Sequence, residues 1–326
     1  MRDGKARVDE SSAHRFVAAL IVLALGAGGA ASCGSLSSTL EPPATFTSSP
    51  TFTPSPTSVH GVSFTPPPTR SPTPSPTPTV IILAQNLHAP DDMVLAPDGA
   101  IYFSDPVDDT VSRLDSDGQV TTVLANLAEP EGLVLLPGGS IVVVEQSKNR
   151  LTQFDLTTRA SLPFLQLRNA TSHPGVDNVL LDPNSQTLIV PDSPNGTLLR
   201  VGLDGQILQT LAQGLARPAG VAVEVDGSLL VVEEKENAIV RIPAQGGSPQ
   251  VVAQIPTPDD VVADARGNIY AISTVGNALY HIDAATGVTK RLLKGLAGPQ
   301  GIIFDADGNL VITDPGHGRI IKVVLP

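Results

Sequence analysis

Four carboxylates recur at one position of a repeated phrase. Asp91, Glu131, Asp177 and Asp259 each stand one residue after a Pro or Val that opens a short apolar run, and Ala219 and Gln300 hold the same place in two further copies. A second set ends the following run of each copy: Asp105, Glu145, Asp192, Glu233, Ser273 and Asp314. Brought together around an axis, the first set would crowd like charges. Protons, basic partners, water or a cation must offset that repulsion. Carboxylate oxygens converging from several directions are what a hard cation prefers. Asp91, Glu131, Asp177 and Asp259 are therefore the candidate ligands of Ca2+ or another divalent cation. Gln300 is a ligand-binding candidate in the same ring. Two readings are open for Asp105, Glu145, Asp192, Glu233 and Asp314: contact with a ligand farther out on the same face, or hydrogen bonds to loop amides. Asp92, Asp108, Asp109, Glu234, Glu236 and Asp260 add to the acidity nearby.

Positioning such sets requires a scaffold that repeats. The copies begin near Pro90, Pro130, Val176, Pro218, Pro258 and Pro299, about 40 to 46 residues apart. That is the length of a four-stranded propeller blade. In each copy an inner strand such as GVAVE leads to a tight turn such as Pro97-Asp98-Gly99 or Ala306-Asp307-Gly308. Glycine supplies the positive φ these turns need. A second strand follows (IYFSD, IVVVE, LIVPD, LLVVE, IYAIS, LVITD), then a third and a fourth. The last copy stops after its third strand, while a lone fourth strand, VIILAQNL at 80–87, precedes the first copy. The sequence therefore predicts an all-β, six-bladed propeller over 80–326, closed by 80–87 completing the last blade. Closure removes the open sheet edges that invite aggregation.

The phrase P-x-G, four apolar residues, D-x-x-G-N-I-Y and a later D resembles the NHL repeat, and the chain is similar to gluconolactonase-like, regucalcin-type propellers. The resemblance covers about 245 residues and implies fold more than function, because such propellers host lactonases, lyases and binding proteins. It implies a divalent metal at the channel mouth held by acidic and Asn side chains of several blades. The chain departs from that pattern at Pro218-Ala219-Gly220 and Pro299-Gln300-Gly301, and Asp91-Asp92 stand where the family has Glu. Some related lyases bind zinc through channel histidines. His88, His173 and His317 fall on loops of the same face, but outside the ring columns, and His281 sits within a strand.

Composition narrows the partners. The net charge of −12 argues against nucleic acid, which needs clustered Lys and Arg. Trp is absent and only 3% of residues are aromatic, which disfavours a stacked sugar site. There is no G-x-S-x-G elbow and no phosphate-cradling loop.

The N-terminal quarter is of different material. Residues 1–33 combine a basic start, an apolar run from Phe16 to Ala31 and small residues before Cys33, the sole cysteine. The run is short for a membrane span of roughly 20 residues and suits a signal-peptide core. It resembles a bacterial lipoprotein signal, which implies lipidation of Cys33, although Ala30 stands where such signals usually have Leu. Residues 34–79 hold 12 Pro, 10 Ser and 11 Thr, too polar and too proline-rich to form a core, and read as a stalk. The expectation is a monomeric, extracytoplasmic, membrane-tethered propeller of the bacterial envelope that binds a ligand or protein partner at its acidic face. A Ca2+-dependent lactonase or esterase, and a streptogramin-lyase-like enzyme, are the alternatives.

Overall fold

The computed structural model describes residues 78–168 and 175–325. The signal segment, Cys33, nearly all of the stalk and His173 lie outside the described residues.

Six four-stranded antiparallel sheets follow one another along the chain. The first blade consists of Met93–Leu95, Ile101–Asp105, Thr110–Leu114 and Val120–Leu124. The fourth consists of Pro218–Val223, Leu229–Glu233, Ala238–Ile242 and Gln250–Gln254. The sixth takes Ile302–Phe304, Leu310–Asp314 and Arg319–Val324 from the end of the chain, and Thr79–Gln85 from its beginning. Thr79 pairs with Val324 and Gln85 with Arg319, so the expected closing strand forms, one residue earlier at its start and two shorter at its end. Among the described residues the helical pieces are 3-10 turns of three residues, such as Gln146–Lys148 and Glu234–Glu236.

The second strand of each blade is buried on both faces, which explains its unbroken β-branched and aliphatic sequence. Val142, Val143 and Val144 are fully buried, as are Leu229 to Val232 and Leu310 to Ile312. Their side chains interlock with the neighbouring blade. Ile189 and Leu198 of the third blade pack with Val221, Leu229 and Val231 of the fourth. The seam at closure is equivalent: Val311 and Ile320 pack with Met93, Ile101 and Phe103. Each fully buried aliphatic side chain contributes about 1.5–3 kcal/mol.

Two devices fix the loops of the upper face. Asp109, Asn149, Asn237 and Asn277 have positive φ at the end of the turn after the second strand, a conformation Asn and Asp tolerate best after Gly. Each side chain then accepts the amide of the next blade's incoming loop: Glu129, Val176, Thr257 and Gly298, at 2.7–3.1 Å. Three of the carboxylates that end the second strands hold the incoming loop of their own blade. Asp105 accepts from the Ala89 amide at 2.9 Å, Glu233 from Ala216 at 2.9 Å and Asp314 from Ala297 at 2.6 Å.

Candidate functional site: the acidic mouth of the channel

Each incoming loop delivers one side chain to the axis. A cavity of about 170 Å3 opens there, lined by Asp91, Asp92, Glu131, Asp177, Glu234 and Asp259, by Gln146, Asn178 and Gln300, and by Arg217. All four carboxylates of the expected ring and Gln300 are brought together. The outer set is not: Asp105, Glu145, Asp192, Glu233 and Asp314 are buried and none of them lines the cavity. Glu145 is held by Arg150 at 2.6 Å and by Thr152, and Asp192 accepts both of its bonds from Asn195 at 2.9 Å. Asp314 also accepts from Arg319 at 2.7 Å. Asp105, Glu233 and Asp314 accept loop amides, whereas Glu145 and Asp192 are held by neighbouring side chains.

Inside the cavity the acids organise in two groups. The Asp91 and Glu131 carboxyls lie within reach of a shared hydrogen bond, which forms when one of the two carries a proton. Gln300 donates to Asp91 at 3.4 Å. Burial, then the neighbouring Asp92 charge, pushes Asp91 up to about 7. Burial and the charges of Asp91, Asp177 and Asp259 push Glu131 well above the usual carboxylate range. The second group is built on Arg217. Its Nη2 lies 2.9 Å from Asp177, its Nε donates to Glu234, and its Nη1 is buried without a partner. The Asp177 contact is close but poorly aligned, so it is an ion pair rather than a well-directed hydrogen bond. Gln146 donates to the other Asp177 oxygen at 2.5 Å. Burial still raises Asp177 to about 7, against the pull of Arg217. Asp259, raised well above its ordinary value by burial and by Glu234, Asp91 and Asp177, faces both groups.

Beneath the ring lies a collar. Asp92, Gly132, Asn178, Gly220, Asp260 and Gly301 follow the ring residues in sequence and alternate acid or amide with glycine. Asp260 accepts from the Val261 amide at 2.8 Å and, across the blade junction, from Ile302 at 3.1 Å. Asp92 accepts from Met93 at 2.7 Å and from Leu133 of the next blade. Both are pushed up by burial despite these bonds, Asp92 to about 7. A Cβ at Gly220 would stand 2.5 Å from Asp260 Cα, so only glycine allows the junction.

Arg217 and Gln146 are the site residues that the acidic columns do not reveal. Arg217 precedes Pro218, two places before the ring column, and has φ of +57°. The other copies carry Ala89, Glu129, Gly175, Thr257 and Gly298 there, so a lone arginine in that column is the signal. The histidines stay outside. His88 pairs with Asp108 at 2.8 Å on the surface, His317 with Asp314 at 2.9 Å, and His281 with Asn268 at 3.3 Å on a third strand. None of these three lines the cavity.

The donor chemistry suits a hard cation, but the arrangement does not close on one. Among the described residues no three His, Cys, Asp or Glu side chains converge as ligands. Arg217 already compensates Asp177 and Glu234, and burial raises Asp91 and Glu131 toward their protonated forms.

No family model matches the chain, and no curated protein matches its sequence. Solved structures do. A gluconolactonase from Xanthomonas campestris superposes with a TM-score of 0.65 at 18% identity, over 76% of this chain and 90% of that one. The calcium-binding protein regucalcin of Agrobacterium tumefaciens gives 0.62 at 16% identity, over 74% and 92%. Virginiamycin B lyase of Staphylococcus aureus gives 0.57 at 16% identity, over 77% and 99%. The chain thus shares the β-propeller fold of gluconolactonase- and regucalcin-like proteins.

Proposed function

We propose that this propeller binds, at the acidic mouth of its channel, a small ligand or a partner's side chain that carries positive charge. One observation carries the reading: six carboxyls line the cavity against a single arginine. Burying like charges together is costly, and an incoming cation relieves that cost while displacing the protons held there. The test is calorimetry of the full chain with methylammonium, guanidinium and Ca2+, each run in two buffers of different ionisation enthalpy. Binding of at least one cation with release of protons is expected, weakened by Asp259→Asn. No heat with any of them would remove the proposal.

The hydrogen-bonded pair Asp91–Glu131 favours a second reading, hydrolysis of a lactone or ester. The ionised member of such a pair can take a proton from water while the protonated member delivers one to the leaving oxygen. A calcium-dependent form would need Asp91, Glu131, Asp177 and Asp259 to turn together onto the ion, and Arg217 to give up Asp177. A panel of lactones and aryl esters, with and without chelator, separates the readings: turnover lost in Asp91→Asn supports hydrolysis. The streptogramin-lyase-like alternative draws no support from the three described histidines, which stand outside the cavity.

Anchoring belongs to the same proposal. Lipid on Cys33 and the proline-rich stalk would display the propeller, as a monomer, from the bacterial envelope. Radiolabelled palmitate incorporated by the full chain and lost in Cys33→Ser would support it, and an unlabelled secreted product would not.

A further inference from the structure

Below the collar the channel changes character. A second cavity of about 350 Å3 runs along the inner strands to Pro97, in the turn at the opposite face. Leu95, Leu133, Leu135, Leu181, Val261 and Ile302 are among its walls, and Asp92, Asn178 and Asp260 are its polar residues. Its size falls in the range of small-molecule sites, roughly 300–1,000 Å3, and an apolar wall with a few convergent polar groups is the usual makeup of such sites. The upper cavity, half as large and almost wholly polar, does not have it.

The polar end selects the ligand's head. Asp92 and Asp260 accept backbone amides, and the Asn178 oxygen accepts Val179 at 2.6 Å. The two carboxyls offer acceptors to the chamber and, with no arginine or lysine lining it, no basic side chain there balances the charge they carry when ionised. A head that donates several hydrogen bonds and carries positive charge meets both needs, as an ammonium does. We propose that the lower chamber is a second binding site, which takes a primary alkylammonium with its head at Asp92, Asn178 and Asp260 and its tail along the inner strands. This site adjoins the cation site at the upper mouth and shares Asp92 and Asn178 with it, while Asp260 and the apolar walls belong to the lower chamber alone.

The absence of tryptophan makes the test direct. Leu135 is half-buried on the chamber wall, so Leu135→Trp in the full chain places the sole indole there. The probes are 8-bromooctylammonium and 8-bromooctanoate, whose bromine quenches indole emission on contact. Saturable quenching by the ammonium is expected, at least about tenfold tighter than by the carboxylate, since like-charge juxtaposition suppresses the wrong partner. Asp260→Asn should remove most of that preference. Absent quenching, or equal quenching by both probes, overturns the proposal. Should Leu135→Trp fail to fold, the unmodified chain is titrated calorimetrically with ethylammonium, butylammonium and octylammonium. Affinity that rises with chain length supports the chamber. Affinity independent of length places the ammonium at the upper mouth alone and refutes it.

Discussion

The ring of acids makes the stability of this protein depend on pH in an unusual direction. Asp91 in the folded chain titrates at about 7 instead of 3.8. A carboxyl whose value is raised binds its proton more tightly when folded. Between 3.8 and about 7 the unfolded chain has lost that proton and the folded one retains it, so unfolding releases a proton and stability falls as pH rises. About three pH units at about 1.4 kcal/mol each gives about 4 kcal/mol for one such group, present at pH 4 and gone above pH 8. For a domain of this size that is roughly 8–16 °C in Tm. Asp92, Glu131, Asp177, Asp259 and Asp260 act with the same sign, though as coupled groups they do not add in full. Carboxyls with lowered values, such as Asp182, Asp264 and Asp305, work the other way. Their stabilisation is complete above 3.8 and is lost only in stronger acid, so the window from pH 5 to pH 8 reads the channel acids together with Asp192, which burial also raises. His88, raised by its bond to Asp108, has the ring's sign but sits exposed, and His88→Gln removes it as a confound. The assay is a thermal melt at fixed ionic strength, in chelator, at steps from pH 5 to pH 8. A Tm that falls across this range is expected, and Asp259→Asn should raise Tm at pH 8 while leaving it nearly unchanged at pH 5. A flat or rising Tm in the unmodified chain would refute the reasoning.

Three other perturbations probe the same architecture. Arg217→Gln leaves Asp177 and Glu234 without their cation; the loss should be about 3–5 kcal/mol at pH 8 and smaller at pH 5, read by urea unfolding. Gly220→Ala places a Cβ 2.5 Å from Asp260 Cα; overpacking against backbone costs about 1–3 kcal/mol or more, and Tm should fall at every pH alike, which distinguishes it from the charge variants. Deletion of residues 79–85 leaves the sixth blade one strand short and exposes the edge of Arg319–Val324; light scattering should show more association than in the intact chain.

The fold could be read because each blade repeats the same local instructions: an apolar strand, a glycine turn, a buried aliphatic strand. Six copies plus one orphan strand leave little freedom in how the chain closes. The ring was legible for the same reason, since a column of acids needs only the repeat register to be placed on the axis. What column counting could not supply was the compensation. Arg217 and Gln146 belong to different columns from the acids they touch, and their meeting with Asp177 depends on loop conformation, including a positive φ at Arg217. Whether the outer acids touch ligand or loop amides also turns on atomic distances. Only the structure shows Asp105, Glu233 and Asp314 holding the amides of their own incoming loops.

The collar shows how charge and packing are joined at the axis. Its alternation gives two kinds of junction. Where an acid leads, it reaches forward to an inner-strand amide of the following blade, as Asp92 does to Leu133 and Asp260 to Ile302. Where glycine leads, the following blade moves in until the backbones touch: a Cβ at Gly132 would stand 2.6 Å from Asn178 Cα, one at Gly220 2.5 Å from Asp260 Cα, and one at Gly301 3.0 Å from Asp92 Cα. Each kind of junction needs the other beside it, because the acid that reaches forward is the residue the preceding glycine makes room for. A pattern with a period of two closes on itself only in an even number of blades, so inserting or removing one blade would set two acids or two glycines against each other. The acids of the collar therefore serve the ring's closure through the amides they accept, and they meet the lower chamber with the lone pairs those bonds leave over.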